Sequence, residues 1–180
     1  MLDISVAYNR YKFLGHEFLT WLWFMIETDP ESLKNNAGEL VFLEIGDRIV
    51  LENSRREAME TITIKGSESE MEEGRMAVKR GAVVTELNLR MHYNKLLWLF
   101  DIKGESLDLS GLKLPEIDKT DRPSQPDGDS REALVLEKID LCETVLGFVR
   151  HLYTHFITLR ISKTWQDKTV PQIKKWVTAS

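Results

Sequence analysis

Ala82-Val83-Val84-Thr85-Glu86-Leu87-Asn88-Leu89-Arg90-Met91 alternates, with Val84, Glu86, Asn88 and Arg90 set against Val83, Thr85, Leu87 and Leu89. A period of two is the mark of a strand with unlike faces. His92-Tyr93-Asn94 turns the chain into a second β-prone run, Leu96–Ile102. Lys103-Gly104 makes a tight turn, and Glu105–Leu114 alternates again. Three strands joined by short turns form an antiparallel meander. The fold class follows from it: α+β, an antiparallel sheet packed by helices.

Working outward, Ser67–Arg80 reads as a polar helix. Its acids lie early, Lys79-Arg80 lies at its end, and Gly81 is placed to terminate it. Ser67 or Ser69 suits its N-cap. Upstream, Ala58–Ile64 ends in the strand-like Thr61-Ile62-Thr63-Ile64. Glu39–Leu51 reads as a hairpin, Leu40–Leu43 and Arg48–Leu51 with Gly46-Asp47 between them. Tyr11–Glu27 predicts a helix, because Leu14, Phe18, Trp21, Leu22 and Met25 share one face. Phe13, Trp23 and Phe24 lie off that stripe, so the helix is expected to be covered on more than one side.

Downstream, 118–130 is polar and rich in Asp, Pro and Ser, the composition of a flexible linker. A long helix is expected over 131–162. Leu134, Leu141, Phe148 and His155 lie on one heptad line, with Val145, Leu152 and Leu159 beside it. Its apolar positions must meet the sheet, the first helix or a second copy of the chain. Residues 163–180 form a basic tail. The organisation expected is therefore an α+β domain over 1–117, a linker, a long helix and a tail.

The 180 residues suffice for one core. A single cysteine, Cys142, excludes an internal disulfide framework and fits a reducing compartment. Met1–Asn9 lacks the basic start and apolar run of a secretory signal. The most apolar run, Phe18–Ile26, is about half the roughly 20 residues a membrane helix needs. A cytoplasmic protein without membrane contact is expected.

Net charge is −5, yet six basic residues stand against one acid from Arg150 onward. That segment carries +5 and leaves −10 on the rest, so a local basic surface can meet a polyanion. Candidate phosphate contacts are Lys65, Lys79, Arg80, Arg90, Lys95, Lys163, Lys168, Lys174 and Lys175. Solvated surface charge is the ordinary role of such residues. From Arg55 to Lys113 ten basic residues balance ten acids. Trp165 and Trp176 offer stacking surfaces for bases, although docking on the protein's own surface is the commoner use. Trp23 and Phe24 are candidate protein-interface anchors.

His151 and His155 have metal-ligand spacing but lack the acid of a His-Glu-x-x-His motif, and a packed role suits them better. Asp101, Glu105 and Asp108 surround one turn, the only hint of a metal-dependent nuclease. No phosphate loop or nucleophile motif is present. No cofactor or metal is expected, and the chain reads as a binding protein rather than an enzyme.

The strand Ala82–Leu89, the strand Leu96–Phe100, Gly104-Glu105-Ser106-Leu107 and the acidic helix closed by Gly81 occur in a distinctive order. From about Leu40 to Arg160 that order resembles the C-terminal half of the recombination-associated protein RdgC family. Phe13-Leu14-Gly15-His16-Glu17-Phe18-Leu19-Thr20-Trp21-Leu22-Trp23 is also similar to segments of distant members. The resemblance implies non-enzymatic DNA binding with little sequence preference, a homodimer closed as a ring around the duplex, nucleoid association, and restraint of the recombinase RecA. Lys65 corresponds to a basic pair that touches DNA in the family. The family's other half contributes to the ring, so the resemblance does not extend to a complete ring here. Two other readings remain open: a protein-interaction module that has lost DNA binding, and the metal-dependent nuclease.

Overall fold

The computed structural model describes residues 4–53, 60–65, 68–116 and 128–179. Its elements are α1 (Ile4–Thr28), β1 (Phe42–Asn53), β2 (Glu60–Ile64), α2 (Glu68–Lys79), β3 (Val83–Tyr93), β4 (Leu96–Lys103), β5 (Leu109–Lys113), α3 (Gly128–Arg160) and α4 (Val170–Trp176). The five strands form an antiparallel sheet in the order β2-β1-β3-β4-β5. The fold is α+β, and the long C-terminal helix is present.

The meander is built by its turns. Asn94 and Lys95 both have positive φ, the conformation of a two-residue type I′ turn, which sets Tyr93 opposite Leu96. β5 is shorter than its sequence pattern because the loop from Gly104 to Asp108, with Leu107 at positive φ, occupies the positions before it. Gly81 ends α2 at φ +99 in a Schellman motif: its N–H donates to the Val78 carbonyl, and that of Ala82 to the Ala77 carbonyl. Ser67 and Ser69 lie outside the described residues or side chains.

The expected hairpin over Glu39–Leu51 is not formed. Phe42–Asn53 is one strand with a wide bulge at Gly46-Asp47-Arg48. Ile45 faces Leu89 and Ile49 faces Leu87, so three residues oppose the single Asn88. The Asn88 carboxamide fills the bulge, its oxygen accepting the Asp47 N–H at 2.7 Å. A Cβ at Gly46 would fall 1.9 Å from that oxygen. Gly-Asp therefore bends a strand here instead of reversing it. The alternation of β3 also slips, because Glu86 faces Val50 while Val84 faces Leu51, which buries both Val84 and Leu87.

The inner face of the sheet carries Leu43, Ile49, Leu51, Leu87, Leu89, Met91, Trp98, Phe100 and Ile102, all buried in one cluster with α1 and α3. α1 lies against β3 so closely that its backbone touches the β4–β5 loop. A Cβ on Gly15 would fall 1.6 Å from the Gly104 carbonyl oxygen. α3 joins through Leu141, Val145, Phe148, Val149, Leu152 and Phe156, and the Trp98 indole donates to the Leu141 carbonyl at 3.0 Å.

The helix and the chain after it share this core. Residues 118–127 of the expected linker are outside the described residues, and Gly128-Asp129-Ser130 are already helical. The basic tail is folded. It forms a π-helical turn (Trp165–Thr169) and α4, with Trp165, Thr169, Trp176 and Val177 buried. Trp165 meets Phe156 edge-on, and Trp176 meets Trp23 edge-on at a centroid distance of 5.0 Å. These two tryptophans anchor the tail and leave its four lysines, with neighbouring residues such as Gln166, Asp167 and Gln172, facing outward. Among the described residues, no helix is long and apolar enough to cross a membrane.

Candidate functional site

The outer face of the sheet is polar but self-neutralising. Arg48 pairs with Glu86 and approaches Asp101 at 3.6 Å. Arg90 pairs with Asp47, and Asn88 donates to Asp101 at 2.7 Å. A carboxylate beside a guanidinium offsets part of its pull on a phosphate, even in exposed pairs such as these. Arg90, expected among the phosphate contacts, is thus committed to Asp47, which the β1 bulge brings across the strand pair. Lys95 is exposed in the β3–β4 turn, and Lys65 is exposed after β2.

A different place collects cations. A groove of about 820 Å³ runs between α1, the end of α2, the start of β3 and the C-terminal segment. Lys79 and Lys174, 95 positions apart, both line it. The Schellman turn of α2 sets Lys79, and the packing of Trp176 sets α4 and hence Lys174. Neither lysine is ion-paired among the described residues. Arg80 and Lys175 follow in sequence and are exposed. Lys163 and Lys168 are exposed on the segment that carries the π-helical turn, outside the groove lining.

Arg160 is a groove residue that the sequence did not single out. Its Nε donates to Glu17 at 2.6 Å, and its guanidinium lies 5.4 Å from the Trp165 ring centroid. The pairing spans 143 positions, and no local pattern announces it. The groove floor is apolar, with Val78, Val83, Val170, Ile173 and Val177.

Trp23 and Phe24 do not offer a contact surface. Both are buried, packed on Trp176. Glu27 explains the arrangement: one carboxylate accepts the Trp23 indole N–H at 2.7 Å and the Trp176 indole N–H at 2.8 Å, and pairs with Arg75 at 2.7 Å. α1, α2 and α4 are thereby joined at a single side chain.

His155 is exposed beside the Trp21 ring, and His151 is half-buried. Asp101 is tied to Asn88 and Arg48, while Glu105 and Asp108 are exposed. Among the described residues, no group of three or more His, Cys, Asp or Glu side chains is gathered to hold a metal ion. Comparison of the chain with protein-family models, curated proteins and solved structures finds no match.

Proposed function

We propose that the chain binds duplex DNA through its phosphates, with little sequence preference and without catalysis, in recombination or the protection of DNA ends. The observation that carries this reading is the convergence of Lys79 and Lys174 on one groove, with Arg80 and Lys175 beside them. Unpaired lysines at one locus release counterions when a phosphate backbone approaches, whatever the net charge elsewhere. The resemblance of Leu40–Arg160 to the RdgC family supports the same ligand class, and Lys65 is the position that the resemblance adds.

Fluorescence anisotropy of a labelled duplex, titrated at several salt concentrations with and without magnesium, tests it. Saturable binding should weaken with salt, at a log–log slope of roughly −0.9 per phosphate engaged. The double substitution Lys79→Ala/Lys174→Ala should flatten that slope by about two phosphates. Arg90→Ala should change it little, because Asp47 already holds that charge. Absence of binding at low salt overturns the proposal and favours the protein-interaction module. Cleavage that needs magnesium overturns its non-catalytic part.

A further inference from the structure

From the body of the molecule α3 continues outward. Between Glu132 and Asp140 only Leu134 is even partly buried. Val135, Leu136 and Ile139 are 57%, 65% and 47% exposed, and Leu146, further along, is 52% exposed. At 100° per residue, Leu136, Ile139, Glu143, Leu146, Arg150 and Ile157 fall in one stripe. It lies opposite the line Leu141, Val145, Phe148, Leu152 that faces the sheet. Ile157, at the far end of the stripe, is partly buried against the core, but Leu136, Ile139 and Leu146 lie open, and an apolar stripe of that length marks an interaction surface.

We infer that the stripe is the contact surface of a symmetric homodimer, in which two α3 helices cross antiparallel about Leu146-Gly147. Charge selects this occupant. Glu143 and Arg150 are exposed, and neither side chain is ion-paired among the described residues. They lie at equal distances on either side of the point between 146 and 147. A twofold axis through that point sets Glu143 of each copy across from Arg150 of the other, so the surface is complementary to itself. The same axis brings Leu136 of one copy toward Ile157 of the other. At the crossing Gly147 has no side chain, and a Cβ built there would meet nothing within 4 Å. Two helix axes can therefore approach closely at that point. A parallel pairing would instead set Glu143 against Glu143 and Arg150 against Arg150. The surface lies apart from the groove that Lys79 and Lys174 line, so the inference stands or falls independently of DNA binding.

Sedimentation velocity of the full chain over a wide concentration range tests it, with circular dichroism to confirm that each variant is folded. The wild-type chain should pass from monomer to dimer, and Leu146→Arg should remain monomeric. Glu143→Arg alone and Arg150→Glu alone should each weaken the dimer by about tenfold or more, since each creates two like-charge contacts. The double variant Glu143→Arg/Arg150→Glu should restore it. A wild-type chain that is monomeric throughout overturns the inference. A double variant no better than the singles overturns the antiparallel arrangement.

Discussion

The two halves of α3 are both rich in apolar residues, yet only one is packed. From Leu141 onward the helix lies over the sheet, and Leu141, Val145, Phe148, Leu152 and Phe156 are buried. Before it, Val135, Leu136 and Ile139 stand exposed. The Trp98 indole, which donates to the Leu141 carbonyl, marks the boundary. Apolar periodicity therefore defines a face, whereas burial depends on what other elements bring to that face. The same reasoning covers the glycines. Gly15 is pressed against the Gly104 backbone, while Gly147 faces open space.

The sharpest test of that contrast is at the glycines. Gly15→Ala drives a methyl into the Gly104 carbonyl, and α1 must lift from the sheet to admit it. Overpacking of backbone on backbone should cost about 3 kcal/mol or more. Gly147→Ala should instead stabilise by about 0.5–1 kcal/mol, through helix propensity alone. Urea unfolding at a protein concentration too low for association reads both, and effects of equal sign would break the comparison.

A smaller difference should separate two leucines of the same helix. Leu152→Ala empties a position enclosed by the core and should lose about 2–5 kcal/mol. Leu146→Ala removes a side chain that is mostly in solvent and should stay within about 0.5 kcal/mol. An equal loss at both positions would mean that Leu146 is covered within the monomer.

The meander, the polar helix with its glycine stop and the long helix were legible because each rests on local periodicity or turn chemistry. Gly46-Asp47 misled because a hairpin and a filled bulge begin with the same dipeptide. What decides between them is Asn88, 42 positions after Gly46. The groove was half legible. Lys79 and Lys174 stood out as charges, but nothing local told that Trp176 would seat α4 beside α2. Arg160–Glu17 and the Glu27 junction are pairings between distant segments, invisible to any window of sequence. Trp23 misled for a related reason, because the helix that buries it begins about 150 positions later.

The smallest effect expected lies beside the boundary itself, where the loop before β1 flanks α3. Asn35, Glu39 and Tyr93 share a cleft of about 320 Å³ with Glu143 and Gly147. The Asn35 side-chain oxygen accepts the Ala37 and Glu39 backbone N–H groups at 2.9 Å, its amide donates to the Glu39 carboxylate at 2.8 Å, and Tyr93 O–H donates to the same carboxylate. The hydrogen bond from Tyr93, then that from Asn35, lowers the Glu39 pKa. The same bond, ahead of desolvation, raises that of Tyr93. The lowered carboxylate contributes stability above its ordinary pKa and loses it as pH falls through the folded value. The raised phenol contributes fully below its ordinary pKa, near 10, and loses it as pH rises through the folded value. Stability attributable to this pair should thus hold across neutral pH and decline at both extremes. Comparing Tyr93→Phe with the wild-type chain by thermal melts from acid to alkaline pH isolates it. The gap between the two should be widest near neutrality and narrow at either end. A gap constant across that range would mean that the loop is held by Asn35 and its backbone bonds alone.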